Sequence, residues 1–155
     1  MKKLKIYIET SAISDLQQPN EPKFMSDMIT LWEKIKLNEY EVVLSDIVFE
    51  ELEGIKDKNK LNILYNFIDQ IDYMRIQLND EVDKIADLII MQGILTKENY
   101  RDCQHLACAL IGNCDCIVSY NFKHINRINT ITGIQRLAIL HGYGIVNIVD
   151  AEKLI

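Results

Sequence analysis

Short apolar runs alternate along this chain with longer stretches in which apolar residues recur every three or four positions. That alternation restricts the fold more than any other feature, because the two periods belong to strands and to helices. Strands are expected over residues 4–9, 41–44, 73–78, 116–120 and 145–149. Between them, Phe24, Met28, Leu31, Trp32 and Ile35 mark an amphipathic helix after a turn around Pro19 and Pro22. A helix is expected from Ser45 or Asp46 to about residue 55, and another over 58–68. Val82, Ile85, Ala86, Ile89 and Ile90 mark a helix ending near Gly93. Further helices are expected over 100–111 and near 133–140. Strands separated by helices of ten or more residues need crossover connections and therefore pair in parallel. No linker interrupts the series. The expectation is one α/β domain over residues 1–155, with a mainly parallel central sheet flanked by helices.

Composition bounds the function. With 155 residues and 48% hydrophobic content the chain can bury a real core. Six glycines and two prolines, without low-complexity runs, argue against disorder. A net charge of −6 disfavours a protein that coats nucleic acid electrostatically. It leaves room for a local acidic site whose charge bound cations would cancel. Lys5 and Glu9 break the N-terminal apolar segment, so it does not read as a signal peptide, and no apolar stretch approaches a membrane span. A cytoplasmic protein is expected. Cys103, Cys108, Cys114 and Cys116 form no paired C-x-x-C motif and read as small packing residues of a reducing compartment rather than a zinc site.

Four polar residues stand where core would be expected: Glu9, Glu51, Asp102 and Asn121. Glu9 closes the first apolar run and Asn121 the fourth. With Val48 at zero and about 100° per residue, Leu52 falls at about 40°, Ile55 at about 340° and Ile47 at about 260°. Glu51, at about 300°, lies inside that apolar arc, whereas Glu50 and Glu53 point away at about 200° and 140°. With Asp102 at zero, Ala109 and Leu106 flank it at about 340° and 40°. Buried carboxylates are costly and persist when paired or when they hold a metal. Each residue also has a plainer role: strand end or helix cap for Glu9, ion-pair partner for Glu51, helix-dipole acid for Asp102, turn residue for Asn121. Those roles explain the residues singly and not their order. In open α/β sheets, sites form beyond the carboxyl ends of the strands, where Glu9 and Asn121 both fall. His105 reads as a packing or hydrogen-bonding residue, Thr10 and Ser11 as caps, and the aromatic residues as core. Lys123, His124 and Arg127 form a basic cluster beside Asn121 that suits either phosphate or solvent.

The segments Ile6-Tyr7-Ile8-Glu9-Thr10-Ser11, Ser45-Asp46-Ile47-Val48-Phe49-Glu50-Glu51-Leu52, Asp102-Cys103-Gln104-His105-Leu106-Ala107 and Val118-Ser119-Tyr120-Asn121-Phe122-Lys123-His124-Ile125 resemble, in order and over nearly the whole chain, the four signature blocks of PIN domains. The chain is most similar to the branch near the VapC-type toxins. The resemblance implies a metal-dependent nuclease acting on RNA, with Glu9, Glu51 and Asp102 as first, second and third acids around Mg2+ or Mn2+. Asn121 stands where many members carry a fourth acid and is expected to complete the metal and catalytic set as a neutral oxygen ligand. Glu9 is one methylene longer than the Asp common at its position, and Arg101 replaces a frequent acid. As partners the resemblance implies an RNA substrate, a small inhibitory antitoxin and a homodimer. The chemistry agrees with the residue types: hard divalent cations take carboxylate and amide oxygens and keep water and phosphate in the remaining positions. Two other readings share these residues: a catalytically weak PIN-like module binding RNA or protein, and a metal-dependent phosphatase.

Overall fold

The computed structural model describes residues 2–155. The element order is β1 (Leu4–Ile8), α1 (Thr10–Ser14), α2 (Pro22–Lys36), β2 (Tyr40–Ser45), α3 (Asp46–Glu53), α4 (Lys58–Ile68), β3 (Met74–Ile76), α5 (Asp80–Met91), α6 (Tyr100–Ile111), β4 (Cys116–Val118), α7 (Ile128–His141) and β5 (Asn147–Val149). The five strands form one sheet in the order β3-β2-β1-β4-β5, and every pairing is parallel. The expected α/β domain with a parallel central sheet is the observed one. β1 lies at its centre, with Ile6 opposite both Val42 and Cys116. Its apolar run Ile6-Tyr7-Ile8 is fully buried, as a strand covered on both faces requires.

The chain leaves β1 toward β2 on one side and returns to β4 on the other. Beyond the carboxyl ends of β1 and β4 the connections diverge and leave a crevice. Glu9 immediately follows β1 and its amide donates to Val118 O of β4 at 3.1 Å. Both candidate residues that close strands thus border one opening.

Three expectations need adjusting. The fourth strand stops at Val118 rather than at residue 120, because Ser119 turns its side chain to Glu9 and Asn121 begins a turn. α7 starts five residues earlier than residue 133. Its first turn, Ile-Asn-Thr-Ile-Thr, has little helix propensity. Gly133 is there for close packing: a Cβ on it would meet Ile94 Cγ1 at 2.8 Å. The helix ends at Gly142, whose φ of 77° is the left-handed conformation glycine adopts without strain. Finally, the short helix α1 and the three 3-10 turns, Asp15–Gln17, Lys97–Asn99 and Ala151–Leu154, have too few residues to show a period.

α6 is buried on all sides from Cys103 to Leu110, between α5, α3 and the strands. The amphipathic wheel is therefore too narrow a description of this helix. The four cysteines are free and buried, and burial pushes the thiols of Cys103, Cys108 and Cys114 up to about 12. Inert packing residues behave this way.

Candidate functional site

Glu9 is both a helix cap and a buried acid. Its extended backbone ends β1, and its Oε2 accepts the Ser11 amide at 2.9 Å, capping α1. Its Oε1 accepts the hydroxyls of Ser11 and, at 2.6 Å, of Ser119. Ser11 Oγ also accepts the Tyr120 amide at 2.8 Å. These contacts tie the ends of β1 and β4 together around one carboxylate that is only 4% exposed.

Glu51 reaches the same crevice from α3. Its Oε1 accepts Thr10 Oγ1 at 2.7 Å and lies 2.6 Å from His105 Nε2. Neighbouring Glu50 points outward, half-exposed, and pairs with Arg101 at 2.8 Å. The helical register expected for these two glutamates is the observed one. His105, 1% exposed, is held from its other side by Tyr7 Oη, 2.6 Å from Nδ1, and Tyr7 Oη lies 2.7 Å from Ser45 Oγ. Burial would lower the His105 pKa, but the Glu51 hydrogen bond and the charges of Glu9, Glu51 and Asp102 outweigh it, so the pKa is raised. Burial likewise opposes ionisation of Glu51, and His105 with Thr10 reverses that, leaving its pKa lowered. Between about pH 4.5 and 6.5 the pair is therefore imidazolium and carboxylate. Nε2–H donates to Glu51, Nδ1–H to Tyr7, and Tyr7 donates to Ser45.

Asp102 projects from the first turn of α6. Burial raises its pKa, His105 opposes the rise, and Glu9, His124 and Glu51 act in turn, the two glutamates upward and His124 downward. Asn121 stands beside it, with Nδ2 3.3 Å from Asp102 Oδ1. The Asn121 amide oxygen points elsewhere and accepts the His124 amide at 3.0 Å. This is the turn-forming contact typical of asparagine. Asn121 therefore acts as turn residue and as neighbour of Asp102 at once. The His124 N–H takes one of the two lone pairs of that oxygen.

Glu9, Glu51 and His105 each offer a donor atom within 4.8 Å of the others. Both ring nitrogens of His105 are already engaged, so the oxygens are the better donors to a hard cation. The residues fit such an ion in charge and atom type. Glu51 Oε1 and Asp102 Oδ1 take the bonds just named, and a second oxygen on each carboxylate remains for coordination. The supporting residues were only partly legible. Thr10, Ser11 and His105 stood out as polar neighbours, but the roles of Tyr7, Ser45 and Ser119 carried no signal beyond their place in the blocks. Cavity size is no guide either: a groove of about 550 Å3 lined by Lys5, Lys36, Tyr40 and Tyr73 lies at the opposite, amino ends of the strands.

One further acid escaped the sequence reading. Asp15, in the turn after α1, is 8% exposed, and burial lifts its pKa from 3.8 to about 6 against the pull of Lys60. A folded-state pKa above the unfolded one means that ionised Asp15 opposes folding. The cost is complete above about pH 6 and disappears as pH falls toward 3.8. Asp15→Asn is therefore expected to stabilise the protein by about 1–3 kcal/mol near pH 8, and by less near pH 5. Urea unfolding at both values checks this, and an equal effect at the two would refute it.

No protein-family model matches the chain, and no curated protein matches it. Among solved structures it is similar to VapBC2 from Rickettsia felis bound to a DNA fragment from their promoter, at 15% identity and a TM-score of 0.56, covering 81% of this chain and 93% of that one. At that identity the likeness speaks for the fold, and it meets the four ordered blocks on the same architecture. The all-parallel five-stranded sheet with its flanking helices is a PIN-like fold.

Proposed function

We propose that the protein is a Mg2+- or Mn2+-dependent endoribonuclease in which Glu9, Glu51 and Asp102 hold the cation and Asn121 sets the position of Asp102. The observation that carries this reading is that Glu9, Glu51 and His105, from three separate segments, offer donor atoms within 4.8 Å of one another, with Asp102 outside that group but close enough to feel the charges of both glutamates. Burial raises the Asp102 pKa and the charges of Glu9 and Glu51 add to the rise, and a divalent cation would relieve that conflict. When bound, such an ion supplies a more acidic water and countercharge for the phosphate. The chain's own residues do the positioning. Ser11 and Ser119 hold Glu9, Thr10 and His105 hold Glu51, and Asn121 holds Asp102.

The solved VapBC2 neighbour supports an antitoxin as protein partner and a toxin role, and a homodimer completes that proposal. No helix among the described residues is long and apolar enough to cross a membrane. Free, buried cysteines suit the reducing cytoplasm that this reading implies.

Incubation of the protein with single-stranded RNA and manganese, magnesium or EDTA tests the proposal. Cleavage with either metal and none with EDTA is the expected result. Metal binding without cleavage would favour an RNA- or protein-binding module, a reading supported by the engagement of the Asn121 oxygen in its turn. Turnover of phosphate monoesters in preference to RNA would favour a phosphatase.

Asn121→Asp separates the roles of that residue. If one oxygen keeps the His124 amide, the other replaces Nδ2 beside Asp102. Two carboxylates then face each other, lowering the metal-free melting temperature and enlarging the rise on adding manganese. An increment identical to wild type would remove Asn121 from the site.

A further inference from the structure

Immediately beside the carboxylates, three aromatic rings meet at the surface. Phe24 of α2 lies 4.6 Å from Tyr120 and 5.9 Å from Phe122, centroid to centroid, and Tyr120 lies 6.0 Å from Phe122 in a perpendicular arrangement. Tyr120 is anchored, its Oη accepting the Ala151 amide at 3.2 Å. Phe122 remains 46% exposed. Packing accounts for the first two rings, which are half-buried. It does not account for leaving nearly half of a phenylalanine in water when a smaller residue would close the turn.

The placement of these rings is specific. Tyr120 and Phe122 straddle Asn121, which touches Asp102. Lys123, His124 and Arg127 follow on the same segment, with Lys123 and Arg127 exposed. On one short stretch the protein therefore presents a contact to the acidic site, an aromatic surface and cationic side chains. A single-stranded nucleic acid carries the complementary groups, phosphates separated by one sugar from flat bases. A nearby acid, Asp27, is neutralised by Lys23 at 2.7 Å.

We infer that Phe122, backed by Phe24 and Tyr120, forms a stacking platform for an unpaired base of single-stranded RNA adjoining the phosphate held at the acidic site, with Lys123 and Arg127 following the backbone. The inference rests on the ribonuclease reading and adds to it a binding subsite that selects unpaired RNA. A base in a duplex already has both faces covered, whereas an unpaired one offers a free face.

The test uses fluorescein-labelled single-stranded RNA octamers in calcium, with affinity read by anisotropy, and a set of the same octamers each lacking one base. Phe122→Ala is expected to weaken binding of the intact octamer by about tenfold or more, the usual consequence of losing one base–aromatic stack. Phe122→Leu, which keeps an apolar side chain in the turn, should weaken it similarly, and Phe122→Trp should stay within about twofold of wild type. One octamer lacking a base should bind wild type and Phe122→Ala equally, because the stacked base is already gone. If Phe122→Ala and Phe122→Leu bind the intact octamer like wild type, or Phe122→Ala loses the same factor on every octamer, the platform is overturned while RNA cleavage by wild type leaves the nuclease reading standing. If wild type neither binds nor cleaves RNA although manganese raises its melting temperature, both fall together.

Discussion

Asp102→Asn is expected to reduce RNA cleavage by on the order of 100-fold or more while leaving the fold intact. The substitution keeps the shape of the side chain and its place beside Asn121 Nδ2, but removes the charge that a cation would meet. Its effect on stability runs the opposite way. Burial, with the charges of Glu9 and Glu51, holds the Asp102 pKa above its ordinary value against His105 and His124. Ionised Asp102 therefore opposes folding, fully above its folded pKa and not at all well below its unfolded one. The metal-free variant should melt at or above the wild-type temperature near pH 8, with the advantage fading as pH falls. It should lose most of the rise that manganese produces. Calorimetry with and without manganese, beside a cleavage assay, measures all three quantities. A variant that cleaves at the wild-type rate would remove Asp102 from the site.

Glu51→Gln and Glu50→Gln, one residue apart, are expected to differ by on the order of 100-fold in cleavage. Glu50 is half-exposed and paired with Arg101, and surface pairs of this kind contribute at most about 1 kcal/mol. Its neutralisation should leave cleavage nearly unchanged. Glu51 is the counter-ion of buried His105 as well as a proposed cation donor. Its loss should carry a pH-dependent stability cost. His105 has a folded pKa raised above 6.5, so its contribution is complete below about pH 6.5 and is lost as pH rises through the folded value. Glu51, with its lowered pKa, contributes above about 4.5 and loses that contribution as pH falls. Between those limits both charges are present, so Glu51→Gln should cost more stability near pH 6 than near pH 9. Denaturant titrations at the two values test this. Equal activity losses in the two variants would mean that the Glu51 carboxylate has no special role.

The two predictions rest on different kinds of information. Which glutamate turns inward follows from the helical period alone, because a 100° step separates Glu50 from Glu51 and only one direction meets apolar neighbours. What Glu51 touches inside does not follow. Thr10 is 41 residues away and His105 54 residues away, and no local rule relates such positions. Asn121 shows the same division. Its turn contact with His124, three residues on, is local chemistry, whereas its contact with Asp102 depends on where α6 packs.

The sequence by itself determined the parallel α/β architecture, the apolar arc that includes Glu51 and the order of the four blocks, since all of these are written in residue periodicity and local spacing. The reason for a glycine at 133 lies across the molecule, in the approach of Ile94. Only the tertiary structure decided that Tyr7, Ser45 and His105 form one buried chain of hydrogen bonds behind Glu51, that Ser119 and Ser11 share Glu9, and that the Asn121 oxygen turns away from Asp102. The physical reason is the sheet order. Placing β1 between β2 and β4 brings together the ends of β1 and β4, which are more than 100 residues apart, and polar groups buried there must find partners among whatever that packing supplies.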